Sequence, residues 1–308
     1  MSQVGVNPPV MRFRRQRSRR RRVLDAARAA PARGLDAARA APSRGLDAAR
    51  AAPERGRALR KAVSQLDVPW ARSWLAGVVR ENFMRLVLDP LMDYYAARRA
   101  TGRETLESVK GPVILVANHA SHLDTPVILS ALPRRLRKRT VVAAAADYFY
   151  RNRVVAWLVS LVFNTVPIER RRSGGMSKNG GHLDALLDQG WNLLLYPEGT
   201  RSRDGMPGPL RRGAAVLAAS HNLTIVPIRV TGTAEAMPPG RFWPRRRRDK
   251  PVPRRHRIEV SFGEPITATG DADADAVMEY VRGFFRNGGS STPYISPYRH
   301  RATVKSER

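Results

Sequence analysis

Six short apolar runs, near 112–117, 140–146, 165–169, 192–196, 225–231 and 258–263, alternate along this chain with helical patterns near 123–131, 151–163, 179–189, 212–220 and 274–286. Strand, helix and strand repeated in this order build a layered sheet, because each parallel neighbour needs a long crossover connection, usually a helix. The sequence therefore predicts an α/β fold, a mostly parallel twisted sheet flanked by helices. Ligands of such sheets bind beyond the carboxyl ends of the strands. The first run, Val113 to Ala117, ends abruptly in "NHASHLD", residues 118–124. That places His119 in a strand-to-helix turn and Asp124 in the first turn of the helix.

An imidazole and a carboxylate so placed can meet. A carboxylate on one ring nitrogen fixes the tautomer and leaves the other free to take a proton from an alcohol, the arrangement of a general base. A capped turn with a structural hydrogen bond is the plainer alternative for the same pair. His119, His122 and Asp124 are also possible metal ligands, but neither H-E-x-x-H nor a comparable set is present, so no metal site is expected. No G-x-S-x-G elbow offers a serine nucleophile, and the absence of cysteine excludes a thiolate.

Charge sets the partners. The 308 residues carry 55 Lys+Arg against 26 Asp+Glu, a net charge of +29, so the surface should seek anions such as lipid headgroups, nucleic acid or acidic carriers. Much of the excess lies in "RFRRQRSRRRR" near the start and in "RFWPRRRRDKPVPRRHR", residues 241–257, where Phe242 and Trp243 stand beside nine basic residues and one acid. Aromatics and arginines together suit the headgroup layer of an anionic bilayer; a disordered charged loop is the plainer alternative. "VVAWLVSLVF", residues 154–163, is too short to span a bilayer, which takes roughly 20 apolar residues. No apolar signal region follows the N-terminal charge.

Composition divides the chain into four parts. Residues 1–69 hold the arginine-rich tail and three eleven-residue repeats, "LDAARAAPARG", "LDAARAAPSRG" and "LDAARAAPERG", each broken by proline and glycine, and are expected to form a flexible basic extension. Residues 70–100 read as an amphipathic helical segment running to about Arg99, with Pro90 kinking or dividing it. Residues 101–287 form the α/β domain, and 288–308 a flexible tail.

Several of these stretches resemble the blocks of the glycerophospholipid acyltransferase family, the group that contains 1-acylglycerol-3-phosphate acyltransferase. "NHASHLD" is similar to its N-H-x-x-x-x-D signature. "YPEGTRS", residues 196–202, is similar to its F-P-E-G-T-R-S block, with tyrosine in place of phenylalanine. "NTVPIERR", residues 164–171, "LRRGAAVLA", residues 210–218, and "TIVPIRV", residues 224–230, match further blocks in the same order.

The resemblance implies an O-acyltransferase in phospholipid biosynthesis. His119 would activate an acceptor hydroxyl, Asp124 would orient it, and Glu198, Gly199, Thr200 and Arg201 would shape the acceptor site. Arg170 and Arg201 would grip a phosphate, a task that suits a planar guanidinium. Arg171 or Arg172 could replace Arg170, and Glu198 could instead be a surface charge paired with Arg201. The donor would be acyl-CoA or acyl carrier protein, with no cofactor. The acceptor would be 1-acylglycerol-3-phosphate, glycerol-3-phosphate, another lysophospholipid or a glycolipid. "AAADYFY", residues 144–150, lacks the lysine that many members carry before the acid of this stretch, which leaves the acceptor open. The setting would be the cytoplasmic face of the membrane, peripheral or monotopic. A basic membrane tether or nucleic-acid-binding protein would leave the His119 and E-G-T-R blocks without purpose, and no specific nucleic-acid reader motif is present.

Overall fold

A computed structural model describes residues 67–145, 153–168, 181–202, 208–241, 243–248, 254–267 and 274–287, all within the unit Leu59–Arg308. The N-terminal repeats, Ala146, Asp147, Arg151, Arg170 and the tail 288–308 lie outside the described residues.

In chain order the elements are α1 (Trp74–Phe83), a π-helical turn (Met84–Leu88), α2 (Asp89–Tyr95), β1 (Ala96–Thr101), β2 (Val113–Ala117), α3 (Asp124–Ala131), α4 (Arg134–Arg137) and β3 (Thr140–Ala145). Then come α5 (Arg153–Phe163), β4 (Thr165–Ile168), α6 (Gly181–Asp188), β5 (Asn192–Leu195), α7 (Gly213–Ser220), β6 (Thr224–Thr231), α8 (Thr233–Ala236), β7 (His256–Phe262), β8 (Ile266–Thr267) and α9 (Ala274–Asn287). The strands form one sheet in the order β1-β7-β6-β2-β5-β3-β4, with β8 on β6. Pairing is parallel from β6 through β2, β5 and β3 to β4, and again between β1 and β7; β7 and β8 meet β6 antiparallel. The carboxyl ends of β2, β3, β4, β5 and β6 therefore share one edge of the sheet, and β1 and β7 begin there.

Alternate side chains of each buried strand serve two cores. Ile114 and Val116 of β2 join Leu193, Leu195 and Val166 beneath α6, α7 and α9. Val113, Leu115 and Ala117 face the other way, onto Val127, Ile128 and Leu129 of α3. Both faces of β2 are dry, which is why this strand reads as an unbroken apolar run.

The helical reading to Arg99 is corrected at its end. Ala96 to Thr101 form β1, in register with His256 to Ser261 of β7, so the division expected at residue 100 falls inside a strand. Pro90 stands in the first turn of α2, where the helical segment is divided. The π-helical turn precedes it, and Asp89 donates its N–H five residues back to Met84. A π turn is one way a helix absorbs a site where the regular ladder fails.

Arg80 of α1 donates to the carbonyls of Leu161, Ser160 and Ala71, tying α1 to the last turn of α5. Burial lowers its guanidinium to about 10, and it stays charged at neutral pH. Ahead of α1, both carboxylate oxygens of Asp67 accept from Arg72, and His182 of α6 stands 3.6 Å away. Burial would raise the Asp67 carboxyl, but His182 and Arg72 outweigh it and hold it at about 2. The sign follows from linkage: a depressed carboxylate adds stability above its ordinary value of 3.8, and that stability is lost as pH falls towards 2. Replacing Asp67 by asparagine should cost on the order of 1 kcal/mol at pH 7, after allowance for solvent screening. Parent and variant melting curves should converge between pH 4 and about pH 2; an undiminished gap at the acid end would refute the ion pair as its cause.

Candidate active site

Three central strands converge at the carboxyl edge, and each delivers part of one cluster. Beyond β2, Asn118 bonds β6 as a strand would: its side-chain amide donates to the Val230 carbonyl at 2.9 Å, and its carbonyl oxygen accepts the Val230 N–H at 2.7 Å. The chain then leaves the sheet with His119 on the turn. Ser121 fixes the far side of that turn by donating its hydroxyl to the Met237 carbonyl at 2.8 Å.

Asp124 opens α3 with its carboxylate wholly buried, and four donors surround it. Oδ2 lies 2.8 Å from His119 Nδ1 and accepts the N–H groups of Ala120 at 2.7 Å and Ser121 at 2.8 Å. Oδ1 accepts the Thr233 hydroxyl at 2.5 Å. A carboxylate in a dry site must be paired or hydrogen-bonded this fully to stay charged. The acceptor oxygen facing Nδ1 places the ring proton there and leaves Nε2 as the basic nitrogen. Among the described residues no side chain bonds Nε2, and the imidazole is 18% exposed, so a reactant can approach it.

β5 supplies the adjoining wall. The Tyr196 ring stacks on His119 at 4.2 Å between centroids and 24° between planes. Its hydroxyl and that of Thr125 share a hydrogen bond of 2.8 Å. Burial, and then the charge of Asp124, push the Tyr196 phenol above its ordinary range, so it remains neutral beside the dyad.

Glu198 spans the loop: Oε1 accepts the His119 backbone N–H at 2.9 Å and Oε2 that of Gly208 at 3.0 Å. Burial raises its carboxyl despite those bonds. Ser202 donates its N–H to the His119 carbonyl at 2.8 Å, so the segment 198–202 grips the histidine's backbone from both sides. Gly199 makes room for Arg211, since a Cβ there would lie 3.0 Å from the guanidinium Nε.

The four expected loop residues Glu198, Gly199, Thr200 and Arg201 thus stand on the strand end next to His119, and Thr200 is exposed. Arg170 lies outside the described residues. Burial, then Arg201 and His119, lower the His122 imidazole to about 4, so it is neutral at pH 7. No group of three His, Cys, Asp or Glu among the described residues could hold a metal ion. His221 bonds Asp184 of α6 at 2.9 Å.

Sequence reading missed Thr233, Tyr196 as a stacking partner, and the backbone duty of Glu198. The hydroxyl of Thr233 lies 109 positions from its carboxylate, and only the pairing of β6 with β2 brings them together. The signal for Tyr196 was its place in "YPEGTRS", directly after a strand that neighbours β2.

Comparison with known proteins adds a family. The model of the Acyltransferase family matches residues 97–231. The 1-acyl-sn-glycerol-3-phosphate acyltransferase BAT2, chloroplastic, of Brassica napus is 32% identical over 139 residues, 45% of this chain and 38% of that protein. The 1-acyl-sn-glycerol-3-phosphate acyltransferase alpha of Mus musculus is 28% identical over 177 residues, 56% of each. The chain thus spans less than two thirds of these relatives. The crystal structure of the 1-acyl-sn-glycerophosphate acyltransferase PlsC from Thermotoga maritima is similar with a TM-score of 0.49 at 19% identity, covering 76% of this chain and 95% of that one.

Proposed function

Residues 97–231 form a domain of the acyltransferase family, and on that premise we propose that this protein moves a fatty acyl group from a thioester to the hydroxyl of 1-acylglycerol-3-phosphate, giving phosphatidic acid. The observation that carries the reading is the His119 ring, oriented through Nδ1 by the buried Asp124 and open at Nε2. Nε2 takes the proton of the acceptor hydroxyl as its oxygen attacks the thioester carbonyl. The tetrahedral intermediate then collapses, the carbon–sulfur bond breaks, and the imidazolium returns the proton to the departing thiolate. Asp124 keeps the ring in one tautomer and offsets its transient positive charge.

Arg201, with Arg170, holds the acceptor phosphate, while Glu198, Gly199 and Thr200 shape the wall around it. The proposed reaction calls on no metal and no cofactor beyond the thioester co-substrate, which is acyl-CoA or acyl carrier protein. Because acceptor and product are membrane lipids, the protein works at the membrane surface, on its cytoplasmic face, as a peripheral or monotopic enzyme in phospholipid synthesis. Among the described residues no helix is long and apolar enough to cross a membrane.

The test is thiol release from acyl-CoA, with and without lysophosphatidic acid, beside His119→Ala. Acceptor-dependent release should fall by roughly 10² to 10⁴-fold in the variant. Parallel assays with glycerol-3-phosphate and other lysophospholipids identify the acceptor. An enzyme silent with every acceptor, from acyl-CoA and from acyl carrier protein alike, would end the reading.

A further inference from the structure

Two surface features flank the His119 turn at the same edge of the sheet. The first lies over β1 and β7. Arg246 stacks on the exposed Tyr94 at 5.2 Å, and Trp243, 59% exposed, donates its indole N–H to the Tyr95 hydroxyl at 2.9 Å. Arg245, Arg247 and Arg248 surround them in the open, with Arg254 paired to Arg247 through the backbone. This loop is anchored at the catalytic end, because Arg245 donates its N–H to the carbonyl of Ala236 in α8, one residue before the Met237 that holds Ser121.

The second feature lies over β3 and β4, at the other side of the sheet. Ala156 of α5 packs on Ala144 near the carboxyl end of β3, and Phe163 reaches Asn164 and the start of β4 at the opposite end. The early turns of α5 therefore stand at the catalytic end. There Val154, Val155, Trp157 and Leu158 are all exposed, Val154 to 66%, and the Trp157 ring lies against that of the half-exposed Trp70 at 5.5 Å between centroids. Water-facing apolar side chains packed this densely on one short helix mark a contact surface.

An arginine cluster with exposed aromatic rings matches the headgroup layer of an anionic bilayer, where aromatics settle and each basic residue adds attraction. An apolar helix face matches the acyl boundary just below it. We propose that an anionic bilayer seats across the catalytic edge of the sheet at these two points, the Trp243–Arg248 loop and the first turns of α5, so that the His119 turn between them faces the lipid surface. The inference rests on the reading of the acceptor as a membrane lipid, and it adds which surface meets the membrane and how the site is aimed.

The test uses the full chain and vesicles of phosphatidylcholine and phosphatidylglycerol with brominated acyl chains, free of donor and acceptor, so that catalysis plays no part. Quenching reports each tryptophan's own depth, which the arginine-rich N-terminus cannot imitate by binding vesicles. Trp157→Phe and Trp243→Phe should each lower the quenched fraction. Trp191→Phe should not lower it, because Trp191 is only 9% exposed and stands at the amino end of β5. Replacing Arg245 to Arg248 by glutamine should abolish the share due to Trp243. Quenching unaltered by Trp157→Phe and Trp243→Phe, or carried by the buried Trp191, would overturn the proposal while leaving the transfer reaction to its own assay. So would equal quenching of Trp243 on vesicles of phosphatidylcholine alone.

Discussion

Replacement of Asp124 by asparagine should lower the turnover of the proposed acyl transfer by roughly 10² to 10³-fold with little change in fold. The argument turns on where the amide can point. The Oδ2 position receives three hydrogen bonds, from His119 Nδ1, Ala120 N and Ser121 N, so it must remain an oxygen. The new NH₂ therefore takes the Oδ1 position, opposite Thr233, whose hydroxyl can turn from donor to acceptor. The tautomer of His119 survives this exchange. What disappears is the negative charge that, in the proposed reaction, stabilises the imidazolium while it holds the proton. Turnover should fall while the Michaelis constant for the acceptor stays close to the parent value, because the interaction is made in the transition state.

Asp124→Ala is a harsher change. It leaves the two backbone N–H groups, the imidazole and the Thr233 hydroxyl without their acceptor in a dry site, at about 1 to 3 kcal/mol for each unsatisfied group. Thermal melts and thiol release on both variants separate the two effects. Turnover of Asp124→Asn within threefold of the parent would remove Asp124 from the mechanism.

The dyad was legible in the sequence because its members are five residues apart, and a turn leading into a helix closes that distance without help from the rest of the chain. The buried strands were legible for a related reason: β2, β3, β5 and β6 are covered on both faces and read as near-continuous apolar runs. β1 was not. It is an edge strand, "AARRAT", whose side chains beyond Ala96 are partly or fully exposed, and it continues a helical pattern that begins at Trp70. Its strand character comes from β7, more than 150 residues downstream, whose free edge it completes. Arg98 falls inside the segment read as helical; on β1 it reaches Asp89 and Asp93 of α2 and Ser130 of α3.

The same division holds in the site. Glu198 and Thr233 are local residues with distant duties, and no spacing rule connects them to His119. Their roles follow from sheet order, because β5 and β6 lie on either side of β2 and their loops must meet beyond it. The arginine-rich loop was legible in composition alone. Its anchorage on Tyr94 and Tyr95 depends on where α2 ends, which the overlong helical reading had obscured.

Gly232→Ala should be among the most damaging small substitutions at the described residues. Gly232 joins β6 to α8 with φ +81°, and a Cβ there would lie 1.9 Å from the carbonyl oxygen of Arg257 and 3.0 Å from its carbon. That carbonyl belongs to the backbone of β7, so no rotamer change can relieve the overlap, and β6 must shift from its partner. The next residue is Thr233, so the shift also withdraws the hydroxyl from Asp124.

Gly240 provides the control. Its φ is +86°, but a Cβ there meets nothing within 4 Å, so Gly240→Ala bears only the left-handed backbone cost of roughly 1 to 2 kcal/mol. Gly232→Ala adds a main-chain collision and should lose more than about 3 kcal/mol, with activity falling in the fraction that still folds. Denaturant midpoints for the two variants give the comparison directly. Equal midpoints would mean that β7 yields at Arg257, and that the join between β6 and α8 is not what holds Thr233 against the Asp124 carboxylate.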